Sequence, residues 1–161
     1  APGRLGNAHP SIAPYEILPC ADGPIALACG NDGQFRKLAA VLGDETLADD
    51  ERFATNSARV QHRPALAEAL GARLSAQASD VWVEQLLAAG VPAGNVGSIA
   101  DGFALATKLG LEPLIEVGEG RPAQVRHPIS YSATPVTQYH APPRLGEHSQ
   151  SVRDWLQQEE Q

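Results

Sequence analysis

The dipeptide Asp22-Gly23 stands between two apolar runs, residues 15–20 and 24–29. Few local sequences narrow a fold so far. A two-residue type I′ turn needs positive φ at both central positions, which Asp-Gly tolerates, and its twist matches two antiparallel strands. In that register Ala21 pairs with Pro24, Cys20 with Ile25 and Cys29 with Glu16. Leu18, Cys20, Ile25, Leu27 and Cys29 then share one face, and Tyr15, Ile17, Ala26 and Ala28 the other. Both faces are mainly apolar, which predicts a hairpin covered on two sides. The two cysteines fall about 13 Å apart at ~3.4 Å per residue, beyond the ~7 Å Cα separation that a disulfide spans. Both are expected as free thiols, in keeping with a cytoplasmic protein.

Downstream, Phe35, Leu38 and Leu42 have the spacing of a helix over residues 33–42, stopped by Gly43. Thr55 or Asn56 starts a helical turn behind Asp49, Asp50 and Glu51, whose carboxylates are expected to pair with Arg52 and Arg59. Pro64 suits the first turn of a helix carrying Leu66, Leu70 and Leu74 at i+4 steps. Ser79 is expected to cap the next helix, with Val83, Leu86 and Leu87 as its apolar stripe. Ala89-Gly90 ends it ahead of a turn-rich segment, residues 91–95. Ser98 and Asp101 have the spacing of a capping box for a helix reaching about Leu109, where Gly110 stops it. Strands are expected over 113–117 and 123–129. An extended arm through Pro135, Pro142 and Pro143 leads to an amphipathic helix from Ser149, with Val152, Trp155 and Leu156.

The class is α+β. A small domain of antiparallel hairpins flanked by helices is expected over residues 1–133, followed by an extended C-terminal arm and terminal helix over 134–161. The arm has few core candidates, so it is expected to pack on another domain or subunit. The chain of 161 residues is long enough for a core of its own. Its net charge of −7 argues against nucleic acid as a partner, since neutralising phosphates takes clustered cations. No apolar run approaches the ~20 residues of a membrane span. His62, His127 and His140 are scattered without ligand spacing, so no metal site is expected.

Several short motifs remain. Gly3-Arg4-Leu5-Gly6-Asn7-Ala8-His9-Pro10 precedes the first strand; its glycines let backbone approach a ligand, and Asn7 and His9 offer donors and acceptors. Gly30-Asn31-Asp32-Gly33-Gln34 feeds a strand into a helix whose N-terminus is receptive to negative charge, with Asn31 or Asp32 as cap. It lacks the GK[ST] of a P-loop. Arg52-Phe53-Ala54-Thr55-Asn56 with Arg59 reads as a structural cap. Gly90-Val91-Pro92-Ala93-Gly94 with Val96, and Pro142-Pro143-Arg144-Leu145-Gly146-Glu147-His148, complete the series. Glu147 and His148 read as part of a turn, because adjacent side chains seldom converge on one substrate atom.

In this order the motifs resemble the second half of the family III CoA-transferases, the group of formyl-CoA transferase, carnitine CoA-transferase and α-methylacyl-CoA racemase. Two departures stand out. Formyl-CoA transferase has a run of glycines where this chain has residues 3–10, and Asn95 replaces a proline of the family's Gly-Val-Pro-x-Gly-Pro-Val.

The resemblance implies a transferase that moves CoA between carboxylic acids through an Asp-linked covalent intermediate. The nucleophilic Asp and most of the CoA pocket are expected in an N-terminal large domain outside this chain. CoA or acyl-CoA is then the substrate, with no tightly bound cofactor; the charge of −7 fits only if the CoA phosphates are gripped elsewhere. Gly6, Asn7, His9 and Asn31 are the implied substrate-binding residues, the first three on a lid over the acyl end of CoA. No nucleophile is expected here, and Asp32 is the candidate for an active-site role, as a polariser. The resemblance further implies an interlocked homodimer, with no turnover by this chain alone. Two alternatives stay open: part of an α-methylacyl-CoA racemase, which removes and returns an α-proton, and a non-catalytic interaction module of the same fold.

Overall fold

The computed structural model describes residues 3–159, which form two compact units, one ending at Gly97 and one beginning at Ser98. The expected boundary at 133/134 marks where core candidates run out; the packing within this chain divides earlier. Residues 1, 2, 160 and 161 of the expected domains lie outside the described residues.

In the first unit, β1 (Tyr15–Pro19) and β2 (Pro24–Ala28) form the expected hairpin, and β3 (Ala93–Asn95) pairs antiparallel with β2. The turn differs from the expected one. Ile25 faces Leu18, not Cys20, and the Cys20 N–H donates to the Gly23 carbonyl at 2.9 Å. Gly23 is not among the glycines of positive φ, so no type I′ turn forms. The register slips by an even step, which leaves each side chain on its expected face. Leu18, Ile25, Leu27 and Cys29 are buried. Tyr15 and Ile17 are 45% and 40% exposed, so the hairpin is covered on one face within this unit and open on the other. Strand β3 falls in the segment expected as turn; Pro92 and Gly94 hide it, and an edge position tolerates both.

The covered face packs on helices. These are α1 (Asp32–Val41), the short 3-10 turn Glu45–Ala48, α2 (Asn56–Gln61), α3 (Arg63–Leu74) and α4 (Ser79–Ala88). Phe35, Leu38, Leu66, Leu70, Leu74 and Leu86 join the strand residues in one core. Each such side chain contributes about 1.5–3 kcal/mol by leaving water. On α4 the buried stripe is Trp82 and Leu86, with Leu87 exposed, unlike the expected Val83–Leu86–Leu87 stripe. The Trp82 Nε1 donates to the Leu74 carbonyl at 2.8 Å, satisfying a group at the end of α3. Ser79 does not cap α4: its own N–H donates to Asp22 Oδ1 at 2.7 Å. The residue read as half of a turn signal is therefore a cap supplied from the hairpin.

The second unit holds α5 (Ile99–Lys108), the strand pair β4 (Leu114–Ile115) and β5 (Gln124–Val125), and α6 (Ser149–Glu159). The capping box of α5 is complete, with Ser98 Oγ accepting from the Asp101 N–H and the Ser98 N–H donating to Asp101. Gly110 follows at φ +77°, where glycine is favoured. The strands are shorter than expected. Among the described residues, no helix is long and apolar enough to cross a membrane.

Candidate functional site

The loop of residues 3–10 is fastened to the outer edge of β1. Asn7 Oδ1 accepts from the Ile17 N–H at 2.9 Å, so an amide side chain occupies the place of a further strand. Gly6, at φ +62°, makes the bend that allows this. The His9 N–H donates to the Tyr15 carbonyl at 2.9 Å. Its ring stacks on Tyr15, with centroids 5.2 Å apart and planes 15° from parallel. The Ser11 N–H donates to His9 Nδ1 at 3.2 Å, which makes Nδ1 the acceptor and places the proton of the neutral ring on Nε2.

Beside this loop the open face of the sheet is hollow. Ile17, Ala26 and Gly94 lie in one row across the three strands. Their side chains shrink from butyl to methyl to none, and a Cβ added at Gly94 meets nothing within 4 Å. The resulting cavity of about 400 Å³ is lined by Tyr15, Ile17, Ala26, Leu27, Ala28, Pro92, Ala93 and Gly94, with Asn7 and Glu16 as its polar residues. Its lining is mostly apolar. Asn7, whose Oδ1 is already engaged by the Ile17 N–H, lines it at the loop side. Such a trough suits a hydrocarbon or acyl segment.

Asn31 and Asp32 stand elsewhere. Asn31 is the cap of α1, its Oδ1 accepting from the Gln34 N–H at 2.9 Å. Asp32 Oδ1 accepts from Arg59 Nη2 at 2.8 Å. Arg59 is completely buried, while the Asp32 side chain is 44% exposed. Arg59 Nε donates to the Ala13 carbonyl at 2.6 Å, Nη1 to the Phe53 carbonyl at 2.8 Å, and its guanidinium lies 4.4 Å from the Phe35 ring centroid. Arg52 meets the expected partner, Asp50, at 2.7 Å, and its hydrogen bonds hold that carboxyl down at about 2. Arg59 does not pair with the acidic run at 49–51; the fold carries it inward.

Of the sequence-derived residues, the structure brings Asn7 into the trough and His9 against its Tyr15 wall. Gly6, Asn31 and Asp32 do not line it. The trough itself was hidden in the sequence, its one signal being the small residues Ala26, Ala28 and Gly94 on the face opposite the core.

The thiols show no activation. Burial pushes Cys29 up to about 12, against a smaller opposite pull from Arg59. Cys20 is also raised, by burial first and then by Asp22. Among the described residues no group of His, Cys, Asp and Glu converges on a metal position. Glu147 accepts from the Arg144 N–H at 2.6 Å, closing the turn ahead of α6.

The profile of CoA-transferase family III matches residues 1–149. The chain is 42% identical over 154 residues to succinate–glutarate CoA-transferase of Agrobacterium fabrum, covering 94% of this chain and 38% of that protein. It is 37% identical over 118 residues to acetyl-CoA:oxalate CoA-transferase of Acetobacter aceti, covering 73% of this chain and 30% of that protein. A CAIB/BAIF family protein from Brucella suis has a solved structure that superposes with a TM-score of 0.78 at 42% identity, over 97% of this chain and 41% of that one. An α+β chain with this likeness is defined as to class. It belongs to CoA-transferase family III, and it spans less than two-fifths of the length of the two named relatives.

Proposed function

We propose that this chain is the small-domain portion of a family III CoA-transferase, supplying the lid over the acyl end of CoA and contacts to a second subunit. The observation that carries the reading is the loop docked beside the apolar trough, with Asn7 in it and His9 on Tyr15. The reaction moves CoA from an acyl-CoA to a free carboxylic acid. A carboxylate of the large domain attacks the thioester carbonyl, and the C–S bond breaks to give a mixed anhydride and CoA thiolate. The thiolate attacks the aspartyl carbonyl, the donor acid leaves, and an aspartyl-CoA thioester remains for the acceptor acid to discharge. Both intermediates hydrolyse readily, which is the physical need for a lid that excludes water.

The substrates proposed are short dicarboxylic acids and their CoA esters, on the strength of the likeness to a succinate–glutarate CoA-transferase. Gly6 lets the loop bend, and Asn7 and the His9 ring offer polar contacts to the acyl end. Asn31, through its amide nitrogen, and Asp32, through its half-exposed carboxylate, are assigned a secondary polar contact. Residues 134–161 serve as the arm onto the large domain or the partner of a homodimer, in the cytoplasm. Apolar side chains exposed on α6, such as Val152 and Trp155, support that assignment.

The test is thioester exchange by the pure 161-residue chain. With succinyl-CoA and glutarate it is expected to give no glutaryl-CoA above the uncatalysed rate. Turnover by the chain alone would place the nucleophile inside it and contradict the reading.

A further inference from the structure

The loop beside the trough is held by side chains that reach it from α2 and from the first residue of α3. Asn56 and Arg59 lie in α2, and Arg63 opens α3 just past His62, whose φ of −108° and ψ of 27° separate the two helices. Asn56 grips the extended segment ahead of β1 at two points. Its Nδ2 donates to the Ser11 carbonyl at 2.8 Å, and its Oδ1 accepts from the Ala13 N–H at 3.1 Å. Arg59 Nε takes the Ala13 carbonyl. Arg63 spreads furthest: Nη2 donates to the His9 carbonyl at 2.6 Å and the Ile12 carbonyl at 3.1 Å, and Nη1 to the Glu16 carboxylate at 3.1 Å. The Arg63 and Glu16 side chains are 15% and 13% exposed, so this pair is largely out of water.

We infer that Arg63 and Asn56 are positioning residues, a clamp that fixes the backbone of residues 9–13 and thereby sets where Asn7 and His9 stand beside the trough. Glu16 offsets the charge of Arg63, so what the guanidinium adds is direction. Its planar fork reaches two carbonyls and a carboxylate at once, which the single ammonium of a lysine does not. A loop released at His9 and Ile12 keeps its sequence and loses its register on β1. The catalytic consequence rests on the lid reading above: a lid that drifts admits water to the acyl intermediates, and hydrolysis gains on transfer.

Hydrogen exchange in the 161-residue chain reads the clamp directly. The reporters are the His9 amide, bonded to the Tyr15 carbonyl, and the Ile17 amide, bonded to Asn7. Arg63→Gln is expected to speed exchange at both by about tenfold, the loss of roughly one net hydrogen bond of loop protection, while core amides such as Leu38 and Leu70 keep their rates. Arg63→Lys, which keeps the charge and removes the fork, should show the same selective loss and guards against a misfolded variant. Acceleration spread evenly through the unit, or none at His9 and Ile17, overturns the clamp. The same two substitutions in a complete transferase are expected to raise thioester hydrolysis several-fold relative to transfer. Selective exchange without that rise leaves the clamp standing and overturns the lid reading instead.

Discussion

Arg59 is the residue on which two parts of the first unit converge. It is fully buried, and an isolated guanidinium there would carry a large desolvation cost. Two carbonyls, one carboxylate and the Phe35 ring offset that cost. Asp32 is therefore first a counter-charge, whatever else its open side does. Removing it by Asp32→Ala leaves a buried cation with carbonyl partners alone. The loss is expected at about 1–3 kcal/mol, below the full cost of breaking a buried pair because water reaches the Asp32 side. Urea unfolding measures it, and an unchanged midpoint would show that the pair does not hold the fold. The sequence showed the right residue types at 52–59 and paired Arg52 correctly. It could not show that Arg59 turns inward, because nothing local distinguishes an arginine facing an acidic run from one aimed at Ala13, forty-six positions away.

At the scale of elements, the hairpin and α4 depend on each other. Asp22 takes the Ser79 N–H at the start of α4, and that hydrogen bond is the main reason its carboxyl is held below the usual range. A depressed folded value means stability present above the ordinary carboxylate pKa and lost as pH falls through the folded one. Asp22→Ala is therefore expected to lower the thermal midpoint at neutral pH, with the gap to the parent closing as the solution is acidified below about pH 4. A gap that persists undiminished in acid would contradict a charge-dependent cap. Most element positions were legible: α1, α3, α4 and α5 begin and end within a residue or two of the periodic apolar stripes and glycine stops. Strand β3 was not, since Pro92 and Gly94 carry turn signals, and only pairing with β2 makes that segment a strand. The register of β1 and β2 escaped for a similar reason. Asp-Gly advertises a tight turn, yet here Asp22 is drawn away to α4.

Across the molecule the two units differ in how they meet solvent. The first has a core made by sheet and helices. In the second, among the described residues, Val117 is the buried apolar side chain, while Ile99, Leu109 and Trp155 stay exposed. The family was legible in the sequence because its signatures sit in loops and caps, where particular residue types are required. Of the candidate site, Asn7 and His9 stood out as polar groups of a glycine-bearing loop, but the trough beside them exists through absent side chains, which no motif records. The clamp on residues 9–13 shows the same limit, since its partners lie more than forty positions away in sequence.

The central claim is that this chain does the small-domain work of a CoA-transferase. Its most direct test is to put the chain in place of the matching segment of the Agrobacterium fabrum succinate–glutarate CoA-transferase, to which it is 42% identical over 154 residues. The measurement is glutaryl-CoA formed from succinyl-CoA and glutarate by the purified chimera. The account predicts transfer by the chimera, with loss of at least about tenfold in the transfer-to-hydrolysis ratio when Asn7→Ala removes the side chain that fastens the loop to β1 beside the trough. A folded chimera that binds CoA and transfers nothing would contradict it.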